Sequence, residues 1–328
     1  MKRFLLSAIV LLMGSVAAIC QETISSPDGK MKVIVSDEGG CPKYQVKLDD
    51  QVFIQLSPLG LKMNFDDLTQ GLTLKSCDVS KFEDEYTLKT TKQSHVKVVA
   101  TEGICRFEKD GREALDVIFC VTNRDVAYRY KVYPKRVRGG ETMSGVVENE
   151  VSGYVLPEGT TTFLCPQMKP MTGFDRTAPS YETGYTPDDA MGKNGWGNGY
   201  TFPCLFKTPK GWVLLSETGT DGGYVGCRLV NVKGGEYKIG FPLPEEMNGT
   251  GSTTPLVTHG SGEVDIAFLL VEVTTAVHAN DPTPRASAID ILLRGLVLGL
   301  YQIKGYGGLH DIRQRPHGDG TPRSLARQ

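Results

Sequence analysis

Residues 115–133 read LDVIFCVTNRDVAYRYKVY. Two bursts of alternating apolar and polar side chains, 115–122 and 126–133, flank the polar triplet Asn123-Arg124-Asp125. A period of two belongs to a strand with one buried face, and three polar residues leave room for a turn but none for a crossover helix. The stretch therefore reads as an antiparallel hairpin, with Asn123 to Asp125 as its turn and Arg129 on the second strand placed to pair with a carboxylate.

The same rhythm runs outward in both directions: KMKVIVSD at 30–37, YQVKLDD at 44–50, QVFIQLS at 51–57, YTLKTT at 86–91, HVKVVA at 95–100, GWVLLSE at 211–217 and GYVGCRLVNV at 223–232. Ser26-Pro27-Asp28-Gly29 is a turn by composition, because proline presets φ, aspartate bonds the backbone and glycine tolerates positive φ. The first strand of the exported chain is expected to start there. A single open sheet of so many strands leaves one face wet and its edges reactive, so two stacked sheets are expected. The reading is all-β: a large antiparallel β-sandwich.

Composition agrees. The chain has 328 residues, 38 glycines and 18 prolines, which suits a turn-dense fold better than a helical bundle. Its 36 basic and 38 acidic residues give a net charge of -2, which excludes a surface built to neutralise phosphates, so no nucleic-acid partner is expected.

The first residues carry Lys2 and Arg3, an apolar run from Phe4 to Met13 and then small residues up to Ala18. That order is a secretory signal peptide, residues 1–18, because the apolar run is too short to span a bilayer. A lipid anchor on Cys20 is the competing reading, opposed by the bulky Ile19. The apolar run from Ile289 to Ile303 is interrupted and too short for a membrane span, so no transmembrane segment is expected. The remaining cysteines, Cys41, Cys77, Cys105, Cys120, Cys165, Cys204 and Cys227, are too widely spaced for a zinc motif. Cys105 and Cys120 lie in strand-like runs, as buried thiols or in a cross-strand disulfide.

Residues 166–201 break the alternation, being rich in Gly, Pro, Asn and Asp with Tyr181, Tyr185, Trp196 and Tyr200 interleaved. Long irregular stretches are often functional. Trp196 lies between two glycines, and its ring, like those of Tyr185 and Tyr200, offers an apolar face on which a sugar can stack. The alternative is that these rings pin a long loop to the sandwich. Trp212, in an alternating strand, is expected in the core.

SPDGK at 26–30, SPLGL at 57–61, NRDVAYRY at 123–130, SYET at 180–183, FPCLF at 202–206 and GWVLLSETG at 211–219 together resemble the N-terminal domain of glycoside hydrolase family 97, exported bacterial enzymes acting on α-glucosides and α-galactosides. The resemblance implies a mutarotase-like super-sandwich over residues 19–258, a periplasmic location and an α-linked oligosaccharide as partner. It also implies that the catalytic carboxylates belong to a (β/α)₈ barrel following the sandwich, which would offer that barrel a docking surface. Calcium is the implied cofactor, with Glu182 of the Tyr-Glu segment as one ligand alongside ligands from the barrel. The other reading of Glu182 is an ordinary exposed loop residue.

Residues 259–328 differ in texture and hold His259, His278, His310 and His317, four of the five histidines. Read one nucleotide later, Gly295 to Tyr301 permits a Ser-Trp-Val-Tyr run resembling the start of the family's barrel, and Gly305 to Asp311 permits a Thr-Glu-Asp-Tyr run. Residues 259–328 are therefore expected to be an aberrant tail, in part out of frame, rather than a folded domain. No carboxylate pair in the sandwich suits glycoside hydrolysis. Asp188-Asp189 and Glu245-Glu246 read as solvated loop residues, and no hydrolysis by this chain alone is expected. Two rivals remain: a free-standing secreted sugar-binding module, and a mutarotase-like epimerase, for which His95 is the sole histidine before the tail.

Overall fold

The computed structural model describes residues 20–87, 94–133, 135, 145–167, 185–192, 199–218, 227–241, 256–257 and 266–274. Strands β1 (Gln21–Ser25), β2 (Met31–Ser36), β3 (Lys43–Leu48) and β4 (Gln51–Pro58) form an antiparallel meander. Ser26 to Gly29 is the turn between β1 and β2. The Ser26 hydroxyl donates to Asp28 Oδ1 at 2.6 Å, the Gly29 amide donates to the Ser26 carbonyl at 2.9 Å, and Gly29 takes φ +76°. A strand therefore precedes the turn, which corrects the expectation that the first strand begins at it. Asp37, between β2 and β3, accepts from the Cys20 amide at 2.9 Å and the Leu74 amide at 3.0 Å, tying the start of β1 to the opposite layer.

After the short strands β5 (Leu61–Met63) and β6 (Asp67–Leu68) come β7 (Thr73–Thr87), β8 (His95–Lys109), β9 (Arg112–Val121) and β10 (Asp125–Val132). The opening hairpin is β9–β10, and the Thr122 hydroxyl oxygen accepts from the Arg124 and Asp125 amides at 3.1 Å. Sequence reading found only the end of β7, at Tyr86 and Thr87. Most of that strand's side chains are exposed on both faces, so it lacks an apolar alternation. Cys77 and Cys105 face each other across β7 and β8 and form a disulfide, while Cys120 is a buried thiol.

The second half adds β11 (Gly145–Glu150), β12 (Gly153–Val155), β13 (Thr161–Pro166), β14 (Thr186–Ala190), β15 (Tyr200–Thr208), β16 (Gly211–Thr218), β17 (Arg228–Lys233), β18 (Glu236–Gly240), β19 (Leu256–Val257) and β20 (Ile266–Thr274). Sixteen strands share one hydrogen-bonded sheet in the order β1-β2-β3-β4-β12-β18-β17-β15-β16-β20-β10-β9-β8-β7, with β13 and β14 beside β15. The other four form a smaller sheet, β19-β11-β5-β6.

Two boundaries move. β14 lies inside the stretch expected to be irregular throughout, and it pairs with β13, so Asp188 and Asp189 are strand residues rather than loop residues. β20 lies beyond residue 258, where the sandwich was expected to end, yet it joins β16 to β10. Its sequence, IAFLLVEVT, is the nearly continuous apolar run of a central strand rather than an alternating one. The sandwich thus extends at least to Thr274.

The sheet curls so that β1 and β2 face β7, β8 and β9 across the core. Inward positions alternate as the sequence indicates: Met31, Val33 and Val35 on β2, Tyr44, Val46 and Leu48 on β3, and Leu115, Val117, Phe119 and Val121 on β9. Each such burial stabilises by about 1.5–3 kcal/mol, enough to fix strand register, because a one-residue slip would turn a whole set outward. Ile24 lies on Gly103 of β8 so closely that a Cβ there would sit 2.4 Å from its Cδ1. The Tyr44 ring meets Phe119 and Tyr128 of the facing layer, with centroids 6.1 and 5.6 Å apart.

Candidate functional site

Of the residues singled out for sugar contact, Tyr185 immediately precedes β14 and Tyr200 opens β15. Strand alternation gives this part of the sheet two apolar faces. Leu164, Cys204, Phe206, Val213 and Leu215 point into the main core, while Phe163, Leu205, Trp212 and Leu214 form a separate cluster on the reverse side. Tyr185 packs on that second cluster, its ring stacked on Phe163 with centroids 4.9 Å apart. Trp212 is buried within it, as expected of a core residue, and Lys207 Nζ lies 5.7 Å from its ring centroid.

Tyr200 belongs to the other side. It is 5% exposed, joins the main core and packs against Tyr237 with centroids 6.4 Å apart. Burial, then the nearby Asp189 charge, pushes its hydroxyl up to about 12. The structure thus puts Tyr185 and Tyr200 on opposite sides of the sheet, and it packs the Tyr200 ring into the main core. The cause is its position on β15, whose pleat turns it inward together with Cys204 and Phe206. Trp196 and Glu182 lie outside the described residues, as do Glu245-Glu246, residues 1–18 expected to be a signal peptide, and the four histidines at 259, 278, 310 and 317.

His95, the residue on which an epimerase would depend, does meet a carboxylate. Its Nε2 lies 3.1 Å from Glu85 Oε1 on the β7–β8 hairpin, with the two side chains 63% and 59% exposed.

Sequence reading passed over two polar groups. At the end of β9 and β10, a cleft of about 760 Å³ is lined by residues that include Phe65, Asp66, Lys109, Arg112, Glu113 and Tyr133. Lys109 donates to Asp66 Oδ1 at 2.8 Å, and the Tyr133 hydroxyl donates to the buried Asp116 at 2.9 Å. Burial raises the Asp116 carboxyl, opposed first by the Tyr133 bond and then by Lys131 and Arg106. Those two cations stand directly across from Asp116 on β10 and β8, a cross-strand charge ladder. The second group surrounds Glu150 at the end of β11, among Tyr44, Tyr128, Tyr130 and Tyr154 in the main core. The signal available for both was an acidic residue inside a run of strand-forming residues.

A profile described as Glycosyl-hydrolase 97 N-terminal matches residues 24–263. The chain belongs to this family. A probable retaining alpha-galactosidase of Streptomyces bingchenggensis (strain BCW-1) is 26% identical over 268 residues, covering 81% of this chain and 38% of that protein. The solved structure of a beta-arabinopyranosidase superposes with a TM-score of 0.69 at 36% identity, covering 77% of this chain and 40% of the other. A glycoside hydrolase family 97 enzyme from Pseudoalteromonas sp. strain K8, solved with panose, superposes with a TM-score of 0.60 at 17% identity, over 77% of this chain and 36% of that one. The latter likeness is one of fold. This chain spans well under half the length of each of these three proteins.

Calcium takes six to eight oxygen ligands, of which one carboxylate supplies at most two. Among the described residues no group of three or more His, Cys, Asp or Glu side chains is arranged to hold a metal ion. The donor chemistry of Glu182 fits calcium only together with ligands from elsewhere.

Proposed function

We propose that this sandwich is the scaffold half of a family 97 glycosidase: it supports a catalytic unit, lends that unit's pocket a wall and does not cleave glycosides itself. The observation that carries this reading is the coincidence of the family's N-terminal match, residues 24–263, with the strand-built sandwich. Within the proposal, Glu182 supplies one oxygen-bearing ligand to a calcium ion shared with the catalytic unit, and Trp196 and Tyr185 supply sugar-facing rings. The surface around β13 to β16 then serves as the docking side.

The substrate class follows from the relatives' names. A β-L-arabinopyranoside has the ring hydroxyl pattern of an α-D-galactoside without its hydroxymethyl group, so one pocket recognising that pattern serves both. An α-galactoside-like oligosaccharide is therefore the proposed partner. The Cys77–Cys105 disulfide supports an oxidising compartment, in keeping with export through residues 1–18 to the periplasm.

The test is to assay the purified chain on aryl α-D-galactosides and β-L-arabinopyranosides with calcium present, and to measure binding of α-galactosyl oligosaccharides by calorimetry. Absence of turnover is the expected result, whereas turnover by the chain alone overturns the scaffold reading. Binding that Trp196→Ala abolishes would instead favour a free-standing sugar-binding module.

A further inference from the structure

The centre of the sandwich holds several buried hydroxyls and one buried carboxyl, and their circumstances differ. The Tyr44 hydroxyl donates to the Gly153 carbonyl at 3.1 Å, and the Tyr128 and Tyr154 hydroxyls share a bond of 2.7 Å. The Tyr130 hydroxyl lies 2.5 Å from Ser152 Oγ and accepts from the Gly60 amide at 3.0 Å. Glu150 is 1% exposed, and among the described residues its carboxyl oxygens make no hydrogen bond of good geometry, the Ser152 hydroxyl, itself bonded to Tyr130, being the nearby group that favours the charged form.

Among the described residues no cation compensates it. The titratable groups that face it are phenols: Tyr44 from β3, Tyr128 and Tyr130 from β10, and Tyr154 from β12. The basic residues of the adjoining strands, Lys43, Lys47, Lys62, Arg129, Lys131 and Lys238, alternate with buried neighbours and occupy outward positions. An isolated carboxylate in such surroundings is far costlier than a neutral carboxyl.

We propose that Glu150 is a built-in alkaline switch: the native sandwich keeps this carboxyl neutral, and its ionisation loosens the β5–β11 pairing from the tyrosine core. Glu150 pairs with Leu61 of β5, and Ser152, two residues on, anchors Tyr130 of the main sheet, so a charge at this point strains the contact between the two sheets. Burial pushes the carboxyl from the ordinary 4.5 up to about 8, with the Ser152 hydroxyl opposing only in part.

The direction of the effect follows from linkage. Between those two values the native state holds a proton that the unfolded chain has lost. The contribution of Glu150 to stability is therefore fully present below about 4.5, falls as pH rises and levels off above about 8.

The experiment is equilibrium unfolding of the full chain and of its Glu150→Gln variant at a series of pH values. The ratio of the wild-type to the variant unfolding constant is expected to rise on the order of a thousandfold between those limits. A ratio that stays flat overturns the proposal. Should the glutamine variant not fold, NMR of the native chain labelled at glutamate Cδ gives the answer directly and leaves Asp116 silent. One glutamate carboxyl titrating near neutrality or above supports the switch, and all of them titrating in the ordinary acidic range overturns it.

Discussion

The β1–β2 hairpin and strand β20 are held by opposite means. The hairpin is specified within the segment Gln21–Ser36: Ser26, Asp28 and Gly29 make their own turn, and β1 and β2 pair in register from Gln21↔Ser36 to Ser25↔Lys32. β20 has no sequence neighbour as a partner. It lies between β10 and β16, both encoded far upstream, and pairs along its length with each. One element is local and replaceable, whereas the other closes the sheet and commits the two halves of the domain to each other.

The sharpest way to break this contrast is to end the chain at residue 258. That removes β20 and leaves β10 and β16 as two open edges in the middle of the sheet, each with unpaired amides and carbonyls. Two complete ladders exceed what a domain stable by about 5–15 kcal/mol can lose. The shortened chain is expected to show no cooperative urea transition and to bind hydrophobic dye, while a chain ending at residue 274 unfolds cooperatively. Equal midpoints for the two chains would show that β20 is dispensable.

This contrast also governs what was legible in the sequence. β2, β3, β4, β9, β10 and β16 lie where the sequence bursts put them, because turn residues bound each short apolar-rich run, although β9 and β16 are buried on both faces. β20 was passed over because its run, IAFLLVEVT, carries no sustained period of two. Most of β7 was hidden because it has little buried on either face. At the candidate site, residue type singled out Tyr185 and Tyr200 but could not give their orientation. That depended on a pleat in β15 and on the unforeseen β14, which put one ring on each side of the sheet. Asp116 and Glu150 were passed over because composition does not reveal which acidic residue in a strand points inward.

A smaller perturbation tests the same contrast inside the core. Gly103 on β8 has no Cβ, and Ile24 of β1 fills that space: an added Cβ would meet its Cδ1 at 2.4 Å and its Cγ1 at 2.6 Å. Gly103→Ala is expected to destabilise by about 1–3 kcal/mol through overpacking. Because the clash is with a single side chain, pairing it with Ile24→Ala should recover part of the loss, giving a coupling of about 0.5–3 kcal/mol in a double-mutant cycle. Strict additivity would mean that the two layers do not touch at this point.

Gly29 gives the smallest effect, and it isolates the local half of the comparison. Nothing lies within 4 Å of a Cβ placed there, so substitution cannot clash, and the entire cost comes from holding an L-residue at φ +76°. Gly29→Ala is expected to cost about 1–2 kcal/mol, the penalty of the left-handed region. The loss should appear as a shift in urea midpoint without a change in slope, since the buried surface is unaltered. Gly103→Ala, by contrast, keeps an ordinary backbone and loses stability through contact alone. If Gly29→Ala proved neutral, the turn would be accepting a different conformation, and the Ser26 and Asp28 bonds, rather than the glycine, would be what sets the register of β1 on β2.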